Sequence, residues 1–134
     1  MPVDAAHRLP QRDLLRMRVA LAGVRVERTP EPRYVVFFRV NLCNEGKLSV
    51  RVMGRKWLLQ DCTADTRIIE ATQLFNDEPV LSPGSVFSFS GCQYFRKPPV
   101  KMELRLFGKD QTGYPFISSA LQIPLAPPEP PLMW

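Results

Sequence analysis

The chain has 134 residues, a formal net charge of +5, 45% hydrophobic residues and 23% charged ones. That length suits one domain, and that composition fits a folded globular chain and excludes a disordered one. No apolar run approaches the roughly 18 residues that a membrane span needs, and the opening "MPVDAAHRLPQRD" offers no apolar stretch for a secretory signal, so a cytoplasmic, membrane-free protein is expected.

Residues 1–16 read as a basic N-terminal arm, in which "PQRDLLRM" has room for at most two helical turns. The first 39 residues hold eight Arg against four acids, whereas the remaining 95 contribute a net charge of only +1. With no five-residue run of like charge, such a segment reads first as a solubilising one, and beyond that as able to attract nucleic acid or an acidic partner and assist its approach. The next stretch, "RVALAGVRVE" (18–27), gives Val19 and Leu21 one parity and Val24 and Val26 the other. A one-residue bulge near Gly23 would return both pairs to one face.

"RYVVFFRVNLCN" (33–44) alternates cleanly, with Tyr34, Val36, Phe38, Val40 and Leu42 on one face and Val35, Phe37, Arg39, Asn41 and Cys43 on the other. Val35 and Phe37 are therefore either covered or form an exposed apolar patch. In "KLSVRVMGRKWLLQD" (47–61) the alternation of Leu48, Val50 and Val52 breaks at Met53-Gly54 and resumes at Trp57 and Leu59, which predicts two strand pieces joined by a bulge or bend at Gly54. Trp57 shares the parity of Leu59 and reads as core. "VFSFS" (86–90) follows a Pro-Gly turn, "VKMELRLFG" (100–108) puts Val100, Met102, Leu104 and Leu106 on one face, and "FISSALQIPL" (116–125) closes the series after a turn holding Asp110 and Gly113. "GCQYFRKPP" (91–99) reads as an aromatic and basic loop. About seven to eight strands separated by turn signals predict an antiparallel β-sandwich over residues 17–125. Five of the fourteen prolines fall in the final "PLAPPEPPLMW", so residues 126–134 form a proline-rich tail suited to polyproline II. Its last residues, Leu132, Met133 and Trp134, either fold back onto the domain or dock on a partner.

Chemistry is sparse. Three cysteines, odd in number and widely spaced, suggest neither a disulfide framework nor a zinc site. The lone His7 sits in the arm with nothing to position it as a base, and no serine has a nucleophile-elbow context. Asp61 and Asp65 read as turn acids. No catalytic residue, no metal and no cofactor is expected.

Several blocks taken together resemble the ApaG family, also called domain of unknown function 525. They are "RYVVFFRVNLCN", "GRKWLLQD", "EPVLSPGSVFSF" and the final "IPL". The resemblance covers roughly residues 17–125 and implies a fibronectin-III-like sandwich. It also implies an association, for bacterial members, with cobalt and magnesium tolerance, here expected to be indirect. Eukaryotic members occur as domains in F-box proteins and in a protein that binds a DNA polymerase subunit, which implies protein binding. The family's G-x-G-x-x-G loop, proposed to hold pyrophosphate, aligns here with Ala71, Gln73 and Asn76. A side chain at each position obstructs the close backbone approach of a phosphate cradle.

The chain is thus expected to be a non-catalytic protein–protein interaction module, whose partner is an unidentified protein or a second copy. The expected binding residues are Phe37, Tyr94, Phe95, Arg96, Lys97 and Trp134. The competing readings are a protein binding a small anion such as pyrophosphate or a nucleotide, and nucleic-acid binding through the basic half. The second is weighed lower, because one aromatic loop is not the sheet face over which such readers spread their aromatics.

Overall fold

A computed structural model describes residues 16–30, 33–71 and 78–125, which form nine strands and no helix. The strands are β1 (Met17–Arg28), β2 (Tyr34–Asn44), β3 (Val50–Asp61), β4 (Thr66–Ala71), β5 (Val80–Leu81), β6 (Val86–Phe95), β7 (Pro99–Asp110), β8 (Pro115–Ile117) and β9 (Leu121–Ile123). They build two antiparallel sheets. One has the order β1-β2-β6; the other runs β4-β3-β7-β8, with β5 on β3 and β9 on β7. The chain passes from the first sheet to the second after β2, which gives the antiparallel β-sandwich expected from the alternation, of the fibronectin type III kind that the family resemblance implies.

Alternation decides what lies inside. Val36, Phe38, Val40 and Leu42 of β2 face Trp57, Leu59, Val50 and Val52 of β3 and Met102, Leu104 and Leu106 of β7 across one core. Phe38 meets Trp57 with ring centroids 4.8 Å apart at an interplanar angle of 54°. The Trp57 indole N–H has no hydrogen-bond partner. Burying about 200 Å² of aromatic surface contributes roughly 5 kcal/mol, which outweighs the roughly 1–3 kcal/mol cost of one unpaired donor.

The bulge expected on β1 lies between Leu21 and Gly23, and the interruption expected at Gly54 is a second bulge, between Val52 and Gly54, within one continuous strand β3. The second has a steric reason, because a Cβ on Gly54 would lie 2.2 Å from the carbonyl oxygen of Ala71 and 2.4 Å from the Phe107 ring. A third irregularity, between Gln60 and Asp61, was not expected. Asp61 pairs with Pro99 and Gln60 with Lys101, so Val100 drops out of the ladder and is 53% exposed instead of facing the core with Met102.

The stretch expected as one strand over 116–125 divides into β8 and β9, because Ser118 intervenes. Its buried hydroxyl accepts the Leu106 N–H at 2.9 Å while its own N–H donates to the Leu106 carbonyl at 2.7 Å. The Pro83-Gly84 turn is type II in character, with Gly84 at φ 84° and the Ser85 N–H donating to Ser82 O at 3.0 Å. The arm helix expected at "PQRDLLRM" falls mostly outside the described residues; its last residue, Met17, opens β1.

The β7–β8 turn is organised by Asp110, a buried carboxylate whose Oδ1 accepts the Thr112 N–H at 2.8 Å, the Thr112 hydroxyl at 2.5 Å and the Tyr114 N–H at 3.0 Å. Burial pushes its carboxyl up, but these donors together outweigh burial and hold it below the usual carboxylate value of 3.8. A lowered folded-state value means stability that is present above the unfolded value and is lost as pH falls through the folded one. Asp110→Asn is therefore expected to have a lower urea midpoint than the native chain at pH 7, with the gap closing as pH drops below about 4. A gap that stays constant from pH 7 to pH 2 would contradict this role for the charge.

Candidate functional site

The expected binding residues separate once the strands are in register. Phe37 and Tyr94 both lie on the outer face of the three-stranded sheet, where Phe37 pairs with Cys92 and Val35 with Tyr94. Phe37 is 37% exposed and Tyr94 51%, whereas Val35 between them is buried. The Arg25 guanidinium, held by Glu27 at 2.8 Å, lies 4.8 Å from the Phe37 ring centroid. Hydrogen bonding to the Cys92 side chain, with the Cys92 charge, pushes the Tyr94 hydroxyl above its ordinary value. Arg96 and Lys97 follow as exposed residues of the turn between β6 and β7. Trp134 lies outside the described residues, as do His7, Leu132 and Met133.

Phe95 requires a correction. The segment 91–99 is not a loop: β6 continues through Gly91 to Phe95, which shares the inward parity of Phe89 and is only 4% exposed. Phe95 is a core residue and cannot anchor a partner. Its open side is covered by Arg67 of β4, whose guanidinium sits 5.4 Å from the ring centroid and donates to the Tyr94 carbonyl at 2.6 Å. Arg67 thereby bridges the two sheets at their open edge.

Beside this bridge is a recess of about 270 Å³ lined by Asp61, Asp65, Arg67, Tyr94, Phe95 and Arg96. Its charges are mixed. The Asp61 Oδ1 already accepts the Thr63 N–H and hydroxyl, and the hydroxyl bond holds the Asp61 carboxyl below its ordinary value. Two carboxylates beside two guanidiniums make a poor cradle for a bare anion. Of the positions aligned with the glycine-rich loop, Ala71 ends β4, while Gln73 and Asn76 lie outside the described residues. Among the described residues no group of three His, Cys, Asp or Glu side chains could hold a metal, and Cys43, Cys62 and Cys92 are free thiols. No helix among them is long and apolar enough to cross a membrane.

Two surface features are absent from the expected binding residues. The first is β4 itself, whose six residues are exposed apart from Ala71; Ile68 on its outer face is 58% exposed. The second is Arg39, exposed beside Phe37 on the same sheet face. Arg39 was visible in the alternation of β2; β4 was hidden because adjacent Ile68 and Ile69 break the period of two.

The sheet orders, the buried Trp57 strand and the Pro83-Gly84 turn set a specific frame for comparison, and the ApaG domain (DUF525) matches residues 25–105. The chain belongs to the ApaG family. Among ApaG proteins, that of Aromatoleum aromaticum is 26% identical over 73 residues, covering 54% of this chain and 58% of its own length. That of Maricaulis maris is 31% identical over 65 residues, 48% of this chain and 50% of its own. The chain thus spans little more than half the length of these curated relatives. The match to the ApaG protein of Pectobacterium carotovorum is longer, at 26% identity over 104 residues, 75% of this chain and 83% of the relative. The crystal structure of a protein described as ApaA from Bordetella pertussis superposes with a TM-score of 0.72 at 19% identity, covering 83% of this chain and 94% of that one. At that identity the likeness shows the shared sandwich fold alone. ApaG is not known as an enzyme family.

Proposed function

We propose that the chain is a non-catalytic protein-interaction module that takes an extended partner segment along the open side of the sandwich. The observation that carries this reading is Ile68, 58% exposed at the centre of a strand with no neighbour on its outer edge among the described residues. Strand addition uses two things, unpaired backbone donors and acceptors and an apolar anchor, and β4 offers both. β6 is also an edge strand, so Tyr94, Arg96 and Lys97 border the same opening and supply an aromatic and basic rim. Catalysis finds no support in the described part of the chain, where Cys62 sits in an exposed turn and Cys43 and Cys92 lie on strands with no histidine beside them. On this reading any effect on cobalt or magnesium tolerance runs through the partner.

The test is recovery from nuclease-treated cytosol by the immobilised full chain, by Ile68→Asp and by Val80→Asp, an equally exposed control on β5. The native chain and Val80→Asp are expected to retain the same protein, and Ile68→Asp to lose at least tenfold of it at an unchanged melting temperature. The same recovery by Ile68→Asp would refute the edge. Sedimentation of the purified chain decides whether the partner is a second copy.

A further inference from the structure

The charge of the molecule is divided between its two sheets. Residues 16–30, 33–46 and 86–97, which form the three-stranded sheet and its turns, hold eight Arg and Lys against two Glu. The rest of the described chain holds eight against six. On the outer face of that basic sheet stand the two exposed aromatics. Phe37 pairs with Cys92, and Tyr94 is two residues further along β6, so the two residues occupy diagonal positions on adjacent strands, positions that lie about 7–8 Å apart. The next rows are Gly23, Arg39 and Ser90, then Ala20, Asn41 and Ser88. These small side chains leave the face shallow, with Arg39 exposed and in no ion pair among the described residues. Ser88 and Asn41 are joined by a 2.6 Å hydrogen bond.

We infer that this face binds single-stranded nucleic acid, with successive bases stacking on Tyr94 and on the Arg25-covered Phe37, and with Arg39 contacting phosphate. One aromatic loop is a weak nucleic-acid signal, but in the fold Tyr94 of that segment joins Phe37 on an outer sheet face, while Phe95 turns into the core. A base can stack on an aromatic ring or on a guanidinium plane, and here the Arg25 guanidinium and the Phe37 ring are already stacked 4.8 Å apart. A protein partner would look for a continuous apolar anchor, which Arg39 and Asn41 interrupt, whereas a polyanion answers the excess of cations directly. This surface meets the β4 edge only at Tyr94, does not use Ile68, and goes beyond the protein-binding role proposed there.

The experiment is fluorescence anisotropy of fluorescein-labelled U12 and dT12 with the full chain at 50 and 200 mM salt, beside a 12-base-pair duplex and a 12-residue poly-Glu competitor. Saturable binding of a single strand is expected, weaker at higher salt and stronger than binding of the duplex. Phe37→Ala and Tyr94→Ala should each weaken it about tenfold at unchanged melting temperature. Arg39→Ala should lower the slope of log affinity against log salt by about one. Ile68→Asp should bind as the native chain does, which keeps the outcome independent of the edge proposal. Absence of saturable binding, equal affinity for duplex, or full affinity in both aromatic variants would overturn the inference. Equal competition by poly-Glu would do so too, and would reassign the face to acidic protein segments.

Discussion

Phe95→Asp is expected to cost the sandwich most of its stability, while Tyr94→Asp, one residue earlier, leaves the fold intact. Phe95 is 4% exposed and belongs to the core with Phe89, Phe38 and Trp57. Truncating a buried Phe costs about 3–5 kcal/mol through lost transfer energy and the cavity left behind. The carboxylate adds the desolvation of a charge at the sheet-to-sheet contact. Arg67 stands over that position, but its guanidinium is already committed to the Tyr94 carbonyl at 2.6 Å, and rotating it toward a carboxylate would open the bridge between β4 and β6. Against a typical domain stability of about 5–15 kcal/mol this is a large fraction. A fall in Tm of roughly 10–25 °C should follow, read by circular dichroism. Tyr94 is half exposed with its side chain on the outer face, so its substitution should stay within about 0.5 kcal/mol of the native chain. A Tm for Phe95→Asp within a few degrees of the native value would place Phe95 outside the core and undo the assignment of β6. The consequence for function is practical. Loss of binding in a Phe95 variant says nothing about a site, whereas loss in Tyr94 or Phe37 variants does.

The contrast between these two neighbours shows what was legible in the sequence. Parity within a strand was legible, so the inward set of β2, the core position of Trp57 and the bulges at Gly23 and Gly54 could all be read from apolar residues that change phase. Where a strand ends was harder. Gly91 and the pair Pro98-Pro99 look like loop residues, yet Gly91 continues β6 because a Cβ there would lie 2.8 Å from the Phe38 ring that passes over it. That is a relation between strands, and no local pattern announces it. Val100 was misplaced for the same reason, since the residue left out of the ladder is set by the pairing of Asp61 with Pro99. Within the candidate surface, Phe37 could be placed on the outer face but not separated from Val35, which shares its parity and is nevertheless buried. The bridge from Arg67 to Tyr94 spans 27 residues of sequence and was beyond any reading of composition or spacing.

Asn44→Ala tests the point on which the crossing between the sheets depends. Asn44 ends β2 and is fully buried. Its Nδ2 donates to the carbonyls of Leu48 at 2.8 Å and Leu81 at 2.9 Å, and its Oδ1 accepts the Gly46 N–H at 2.9 Å. Its backbone N–H donates to Ser85 O at 3.0 Å and its carbonyl accepts the Gly84 N–H at 2.7 Å. One side chain thus ties the end of β2 to the connection that enters β3 and to β5, while its backbone holds the Pro83-Gly84 turn. Removing it leaves three polar groups without a partner at roughly 1–3 kcal/mol each, partly relieved where water can enter. A loss of about 3–5 kcal/mol is expected from urea unfolding. Asn44→Asp separates the hydrogen bonds from mere volume. It keeps an acceptor for Gly46 but turns a carboxylate toward two carbonyls, so its carboxyl is expected to sit above the ordinary value of about 3.9 in the folded state. A raised folded value means stability that is present below the unfolded value and is lost as pH rises through the folded one. Asn44→Asp should therefore approach the native chain in urea midpoint near pH 4 and fall away from it by pH 7, while the deficit of Asn44→Ala stays the same. Parallel curves for the two variants would mean that the side chain merely fills space, and the crossing would then have to be held by the backbone hydrogen bonds to Gly84 and Ser85 alone.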